Sequence, residues 1–548
     1  MKMLLNGKKV GTEGREEIIV INPYTHEEID RVPCADLNDI DTALECAREG
    51  AEKWGRVPVL ERVRILEKVS SKIAEKKKDI ALLLSKEAGK IYTQAEEEVD
   101  HAIGLFKEYA NRLRYDYDSV LPSNEDMILV TREPLGVVAC ILPFNFPVEL
   151  YAQKVAPALA AGNAIIIKPS VETPLSSIYL SELIIECGVE PKALQVITGH
   201  GSVVGSALAS SDKIDAVSMT GSTEAGISIY VSAAKNLSRC FLELGGNDPL
   251  IIFDDVDLDT AVTEAINGRI VHAGQACCSS KRFIVQENIY DEFAGRLAER
   301  LKGMKIGDPL DQGSRIGPLI DERAAQRVEE IVDRTVKAGA YCLCGGRRFD
   351  GNFFEPTVLT GVTPAMDIAQ NLEVFGPVFP LIKFKTEEQA VAIADRILMT
   401  YPTGKSVQDI MHITGLPLYL AEKVFDKCEW KYNYKRNFPK GYAIGQVTVV
   451  RNMVKNEHVD AKKLESFLNM DSAKAEQWEK NPDKAAITEL LSHHLDIYQI
   501  MDALSMTIEK VQELIPDYQE LQPYQPVFKP VSVTDEEAEK AYQEHISD

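Results

Sequence analysis

Apolar and polar positions over residues 1–395 follow two different periods. Short unbroken apolar runs at residues 137–143 and 164–167 have the length and composition of buried strands. Residues 155–161 and 174–187 instead carry the spacing of helices. Because strands and helices alternate in this way, the pattern predicts an α/β fold with a largely parallel sheet.

Three chemically useful positions lie at or just past the ends of predicted strands: Asn145, Lys168 and Gly199. In open parallel sheets the carboxyl ends of the strands share one edge, and ligands bind there. We therefore expect the site of this chain at that edge.

Two glycine-containing stretches resemble phosphate-binding loops. Residues 199–205 almost match the dinucleotide fingerprint, but the third glycine comes one residue late, and such a triplet is weak evidence by itself. Residues 220–226 read Thr-Gly-Ser-Thr-Glu-Ala-Gly, follow the strand-like residues 216–219 and open a predicted helix. Free backbone N–H groups at such a helix start can bind a phosphate, and the same pattern is typical of an ordinary helix cap. Both interpretations stay open here.

A thiol and a carboxylate lie 34 positions apart in the middle of the chain, at Cys277 and Glu243. A cysteine is the best side-chain nucleophile near neutral pH when its surroundings favour the thiolate. A carboxylate can activate water as a general base. An isolated cysteine is more often a buried structural residue, but this pair is sufficient for a two-stage oxidation of a carbonyl compound.

The order of motifs over about residues 1–395 resembles that of the aldehyde dehydrogenase family. Six motifs occur in the family's order, around Asn145, Lys168, Gly221, Glu243, Cys277 and Glu373. Flanking stretches near the start of the chain and at residues 316–320 and 356–359 agree. The resemblance implies parallel sheets with flanking helices and the oxidation of an aldehyde to a carboxylic acid.

The resemblance also implies roles for individual residues. Cys277 matches the nucleophile, Asn145 the oxyanion-hole amide and Glu243 the general base. Family members that acylate coenzyme A typically lack the glutamate, so Glu243 favours release of the free acid. The cofactor would be bound by Lys168, Ser170, Gly221, Ser222, Gly226, Glu373 and Phe375.

The choice between NAD and NADP stays open. NAD-preferring members often carry a glutamate three residues after the lysine, and this chain has Val171 there. Without that acidic group a 2′-phosphate meets no repulsion, although Glu172 next to it could substitute.

The resemblance divides the chain into parts. It implies a dinucleotide-binding domain over residues 1–118 and 138–243, an oligomerisation flap segment over 119–137 and a catalytic domain over 244–395. After residue 395 the family's remaining strands are not found, so the catalytic domain is incomplete. The alternative function is therefore a catalytically impaired remnant fused to a DNA- or protein-binding helical module with a regulatory role.

Residues 396–548 match no family that we recognise, and they predict a mostly helical module. Residues 406–424 have helix-turn-helix spacing, and a second copy of the apolar pattern follows 90 residues later. Residues 430–440 interleave basic and aromatic side chains, which indicates nucleic-acid binding. Because acidic residues outnumber basic ones over residues 396–548 as a whole, a protein-interaction or structural role is the favoured interpretation for this part of the chain.

The composition of the chain excludes several kinds of protein. A net charge of −23 argues against a general nucleic-acid or membrane-surface protein. The ten cysteines lack metal-ligand spacing, which predicts free thiols, no metal site and a cytoplasmic protein. No apolar run reaches the roughly 18 residues of a membrane span. We expect a small aldehyde as substrate, with its identity and the assembly into a homo-oligomer left open.

Overall fold

The computed structural model describes two compact units, Met1–Thr400 and Tyr401–Asp548, each taken here by itself. The described residues are 1–394 except 116–117, 122–127 and 371, then 450–492 except 452–453, 456–458 and 469–470, and finally 504, 510, 513 and 514.

A seven-stranded sheet forms the first half of the larger unit, in the order β11-β10-β7-β8-β9-β1-β2. Five consecutive strands of this sheet, from the edge strand β11 to β9, run parallel. They are β7 (Val137–Ile141), β8 (Ala164–Lys168), β9 (Leu194–Val196), β10 (Ala216–Thr220) and β11 (Arg239–Glu243). Two short antiparallel strands extend it, β1 (Met3–Leu5) and β2 (Lys8–Val10). Two hairpins lie outside this sheet: β3 (Glu17–Ile21) with β4 (Glu28–Pro33), and β5 (Ser119–Leu121) with β6 (Ile128–Val130).

Eight helices accompany this sheet among the described residues, and several of them bury an apolar face in the same core. They are α1 (Leu37–Gly55), α2 (Val59–Glu75), α3 (Lys77–Ala88), α4 (Tyr92–Tyr115), α5 (Glu149–Ala160), α6 (Pro174–Glu186), α7 (Ser206–Ser210) and α8 (Thr223–Ala234). The strands β7 and β8 are buried along their whole length, which explains their unbroken apolar sequence.

A five-stranded sheet forms the second half, in the order β12-β13-β18-β17-β14. Its strands are β12 (Asp248–Ile252), β13 (Ser280–Gln286), β14 (Tyr341–Cys344), β17 (Thr357–Val362) and β18 (Val378–Phe384). The two-residue strands β15 (Arg348–Phe349) and β16 (Phe353–Phe354) pair with each other. The helices α9 (Leu258–Ile270), α10 (Tyr290–Lys302), α11 (Glu322–Lys337) and α12 (Glu387–Ala394) complete a second, separate core.

The α/β class predicted from the sequence is confirmed, and the predicted strands lie within one or two residues of the observed ones. The helix predicted over residues 155–161 begins earlier, at Glu149. The reason is tertiary: a Glu98 carboxylate oxygen accepts hydrogen bonds from the Val148 and Glu149 amides, at 2.8 and 3.1 Å, and so satisfies the free N–H groups of the first turn.

In the second unit the described residues form three short helices, α13 (Ala461–Leu468), α14 (Ser472–Lys480) and α15 (Pro482–Ser492). They share a small apolar core around the buried Trp478. The predicted helix-turn-helix at 406–424 and the basic stretch at 430–440 lie outside the described residues, as does most of the second copy.

In the described part of the chain, every helix is too short or too polar to pass through a bilayer. The same residues bring no three histidine, cysteine or acidic side chains together in a way that could hold a metal ion.

Glu87 generates a prediction about stability. Its buried carboxylate accepts hydrogen bonds from the Leu175 and Ser176 amides at the start of α6, at 2.8 and 2.9 Å. Burial raises the pKa of Glu87 to about 7. Because this pKa in the folded chain lies above the unfolded value, the contribution of Glu87 to stability is complete below about pH 4.5 and is lost as the pH rises towards 7.

We expect wild-type protein to lose at most about 3 kcal/mol of unfolding free energy relative to Glu87→Gln between about pH 4.5 and 7. Urea unfolding at a series of pH values measures this difference. The exposed Glu52→Gln provides the control, since it should follow wild type throughout. A constant difference between wild type and Glu87→Gln would contradict the assignment.

Candidate active site

Cys277 lies on a loop between α9 and β13 that is preceded by a left-handed turn. His272, Ala273 and Gly274 have φ values of 50°, 54° and 81°. Two non-glycine residues in this region are unusual and strained. A Cβ on Gly274 would stand 2.3 Å from the Gly376 carbonyl oxygen, so only glycine fits there. The turn therefore brings the loop of Cys277 against the loop that contains Gly376.

Arg269, in the last turn of α9, fixes this arrangement. Its fully buried guanidinium donates to the Ser279 hydroxyl at 2.7 Å and to the carbonyl oxygens of Val374 and Val378 at 2.7 and 2.8 Å. Burial lowers the pKa of Arg269 to about 9, with the Glu373 carboxylate opposing that effect. The sequence analysis missed this residue and predicted no helix around it, although a basic side chain among apolar helix positions is a signal of such a role.

Asn145 is buried and contacts the same loop. Its amide Nδ2 donates to the Gln275 carbonyl oxygen at 2.8 Å, and the Gln275 side chain in turn accepts from the Ile320 amide at 3.0 Å. A primary amide has two N–H groups. One N–H group is bonded to the Gln275 carbonyl oxygen, two residues before Cys277, and this bond fixes the plane of the Asn145 amide. Among the described contacts the second N–H group makes no hydrogen bond, so it can donate to another acceptor.

A buried ion pair supports the segment that contains Asn145. Lys90 pairs with Glu98, and both side chains are almost completely excluded from solvent. The Lys90 ammonium lies 3.6 Å from the centre of the Phe146 ring, and Glu98 also accepts from the start of α5. The residues that follow Asn145 are therefore held by one buried carboxylate–ammonium pair, which the sequence analysis did not detect.

Cys277 is half-buried and its neighbour Cys278 is exposed. A hydrogen bond between the two thiols lowers the pKa of Cys278 to about 6, while the same bond and burial raise the pKa of Cys277. The Lys281 ammonium favours the thiolate at both positions.

Glu243 is the last residue of β11 and its side chain is exposed. Its carbonyl oxygen accepts from the Gly221 amide at 3.0 Å, which joins the ends of β11 and β10. Among the described contacts its carboxylate makes no hydrogen bond to Cys277. The turn that follows does reach the Cys277 loop, because a Cβ on Gly246 would stand 2.9 Å from the Cys277 carbonyl oxygen.

Glu373 and Phe375 lie on the loop that Arg269 fixes. Glu373 accepts from the Gly246 amide at 3.2 Å and lies 3.3 Å from the Lys281 ammonium. The Phe375 ring meets the ring of Phe144 edge to face, with 6.2 Å between centroids. These two predicted cofactor residues are thus brought next to the predicted nucleophile and oxyanion segments.

The other predicted cofactor residues lie at the edge of the seven-stranded sheet. Lys168 ends β8, is buried, and donates to the Pro169 carbonyl oxygen at 2.8 Å. Burial lowers the pKa of Lys168 to about 8, and the nearby Glu172 opposes that shift. The Ser170 hydroxyl donates to Glu172, so a carboxylate does stand at this position of the edge.

Ser222 is the N-cap of α8 in the structure, since its hydroxyl accepts from the Ala225 amide at 3.2 Å. At Gly226 a Cβ would stand 2.4 Å from the Leu244 side chain, so glycine allows the helix to pack closely on the turn after β11. Gly221 joins the two strand ends, as described above. Just before it, the Thr220 hydroxyl is buried and has no hydrogen-bond partner among the described residues.

Comparison with known proteins finds relatives that match most of the chain. The chain is 37% identical over 396 residues to the succinate-semialdehyde dehydrogenase [NADP(+)] GabD of Escherichia coli, covering 72% of this chain and 82% of that protein. It is 38% identical over 402 residues to human retinal dehydrogenase 2, covering 72% and 77%. A crystal structure of betaine aldehyde dehydrogenase from Staphylococcus aureus in complex with NAD+ superimposes with a TM-score of 0.70 at 34% identity, over 72% of this chain and 80% of that one.

The sequence model of one family matches most of the chain. That family is described as the aldehyde dehydrogenase family, and the match extends over residues 10–400. The matched residues contain the five-stranded sheet, the five parallel strands of the seven-stranded sheet and every site residue described above. The chain therefore belongs to the aldehyde dehydrogenase family.

Proposed function

We propose that this protein oxidises an aldehyde to a free carboxylic acid with NAD or NADP, and that Cys277 is the nucleophile. The observation that carries the proposal is the convergence of the Asn145 amide, the Cys277 loop and the Glu373 loop around one left-handed turn. We further propose residues 1–118 and 138–243 as the cofactor domain, 119–137 as a flap segment and 244–395 as the catalytic domain.

The first half-reaction begins with attack of the Cys277 thiolate on the aldehyde carbon. The carbonyl oxygen becomes an alkoxide, and the second N–H of the Asn145 amide, together with the Cys277 backbone N–H, is suited to stabilise it. Removing one such donor typically costs about 3 kcal/mol of barrier. The Asn145 amide is held in one plane by Gln275, so little reorganisation is needed when the charge develops.

The chain has the features that a dinucleotide requires. A buried ammonium at Lys168, the unpartnered Thr220 hydroxyl and the glycine at Gly221 lie at the carboxyl ends of β8 and β10. Ser170, Ser222, Gly226, Glu373 and Phe375 complete the proposed cofactor site. A bound dinucleotide would supply the acceptor for the hydride that the alkoxide expels, and Cys277 would then carry the acyl group as a thioester.

Glu243 performs the second half-reaction. Its exposed carboxylate at the end of β11 removes a proton from water, and the hydroxide attacks the thioester carbon. The carbon–sulfur bond breaks, the carboxylic acid leaves and the thiolate returns. The relatives above are named for different aldehydes.

Substitution of each cysteine tests the nucleophile. We expect Cys277→Ala to abolish NAD(P)H formation with a panel of small aldehydes, because no thioester can form. Cys278→Ala should retain turnover, because the proposed acyl transfer uses only the sulfur of Cys277. Absorbance of NAD(P)H measures both. Equal loss of activity in the two variants, each with a wild-type melting temperature, would contradict the assignment of Cys277.

Glu243→Gln separates the two half-reactions. We expect a burst of NAD(P)H close to one equivalent per chain followed by a slow steady rate, because the amide cannot deprotonate water. Mass spectrometry should then find the acyl group on the Cys277 peptide. The exposed Glu224→Gln is the matched control and should turn over as wild type does. Normal steady-state turnover in Glu243→Gln would remove Glu243 from the mechanism.

Glu172 determines which dinucleotide is preferred. Its carboxylate is hydrogen-bonded to Ser170 near Lys168, where it would repel a 2′-phosphate. We expect Glu172→Gln to raise kcat/KM with NADP relative to NAD by about tenfold, which corresponds to about 1.4 kcal/mol. Steady-state kinetics with both cofactors measure the ratio, and Glu186→Gln, at the far end of α6, is the control. An unchanged ratio would show that Glu172 does not read this part of the cofactor.

A further inference from the structure

We propose that Lys281 is a positioning residue of this site, a buried cation shared between the Cys277 segment and Glu373, which sets how readily Cys277 reacts and links that reactivity to cofactor binding. The inference rests on the proposed function and assigns a role to a residue that the sequence motifs do not single out.

The contacts of Lys281 define this role. It is the second residue of β13, and its side chain is 1% exposed. Its ammonium donates to the Cys277 carbonyl oxygen at 2.5 Å and lies 3.3 Å from a carboxylate oxygen of Glu373. Lys281 therefore touches both the backbone of the nucleophile and a residue of the proposed cofactor site.

The charged neighbours of Lys281 differ in their access to solvent. An ammonium removed from water needs a counter-charge, and Glu373 is the carboxylate in contact with it. The Glu373 side chain keeps 24% of its exposure, so it is available to a ligand. Arg269 adds a second buried cation on the same side. Of these groups, Lys281 is the cation that acts on the Cys277 sulfur, and its charge favours the thiolate there.

The charged and titratable groups that face the thiols or Lys281 come from five segments of the chain. Lys281 and Glu373 act on Cys277 in opposite directions, the first lowering and the second raising its pKa. Arg269 and Asp248 act on Lys281, while Glu149 acts on Cys278. Because Lys281 and Glu373 oppose each other at Cys277, removing one or the other must move the reactivity of the thiol in opposite directions.

Cofactor binding affects the reactivity of Cys277 through Glu373. Without cofactor, its carboxylate is bonded to the Gly246 amide and offsets the charge of Lys281. When Glu373 instead accepts hydrogen bonds from the ribose of a dinucleotide, less of its charge is available to Lys281. The field of the ammonium at the sulfur then increases, so that the thiolate becomes more stable when the cofactor is in place.

The test uses the full-length chain in a Cys278→Ala background, so that a single thiol is measured. The rate of alkylation of Cys277 by iodoacetamide is followed against pH without aldehyde, and peptide mass spectrometry verifies the position of the label. We expect Lys281→Met to raise the midpoint by about one pH unit and Glu373→Gln to lower it. Oxidised NAD should lower the midpoint in the background protein and leave it unchanged in Glu373→Gln.

Turnover gives an independent measurement in the presence of Cys278. Lys281→Met should lower kcat/KM for aldehyde at neutral pH and recover it as the pH rises, which a disordered loop would not do. Lys383→Met is the matched control, because that exposed ammonium on β18 lies over the Tyr290 ring. It should change neither the alkylation midpoint nor the pH profile.

Three results would overturn the proposal. One is an unchanged midpoint in a folded Lys281→Met protein, and another is a shift of both variants in the same direction. The third, if Lys281→Met does not fold, is an unchanged midpoint in Glu373→Gln, which retains the lysine. Failure of the proposed function is distinguishable, because an absence of aldehyde oxidation by wild type would leave the opposite alkylation shifts in place.

Discussion

The buried guanidinium of Arg269 is the interaction on which the rest of the site depends. A charge at this depth is unfavourable unless its donors are all satisfied, and here a hydroxyl and main-chain oxygens surround it. Those acceptors lie on two loops, one with Cys277 and one with Glu373 and Phe375, and on the first residue of β18, which directly follows the second loop. Because neither loop has the repeated hydrogen bonds of a helix or a sheet, the planar guanidinium takes over that function and fixes their separation.

The same principle recurs at each irregular segment of the site. The Lys90–Glu98 pair supports the residues around Asn145, and Lys281 connects Cys277 with Glu373. Apolar side chains of similar size would often stabilise the fold as well or better. The hydrogen bonds of charged side chains in these positions are instead directional, because each of them fixes one particular donor or acceptor atom. The arrangement thus gives up part of the stability of the chain for defined geometry where the chemistry takes place.

The strands could be predicted from sequence because their signal is local. An unbroken apolar run such as that of β8 reports complete burial, and motif order placed Asn145, Cys277 and Glu373 in one site before their contacts were known. What supports them could not be predicted in this way. The start of α5 depends on Glu98, about 50 residues earlier in the chain, and Arg269 reaches main-chain oxygens more than 100 residues away. Neither partner leaves a periodic pattern in the sequence.

The two proposed half-reactions depend on packing to different degrees. Asn145 is buried and fixed by Gln275, so oxyanion stabilisation relies on a rigid surrounding. Glu243 lies at the exposed end of β11, the edge strand of its sheet, where Phe241 is 54% exposed. A base that has to activate water tolerates that exposure, because solvent supplies its substrate. The buried charged residues therefore fix the geometry of the groups that act in acylation. The geometry of Glu243, which acts in hydrolysis, depends more on what surrounds the exposed end of β11.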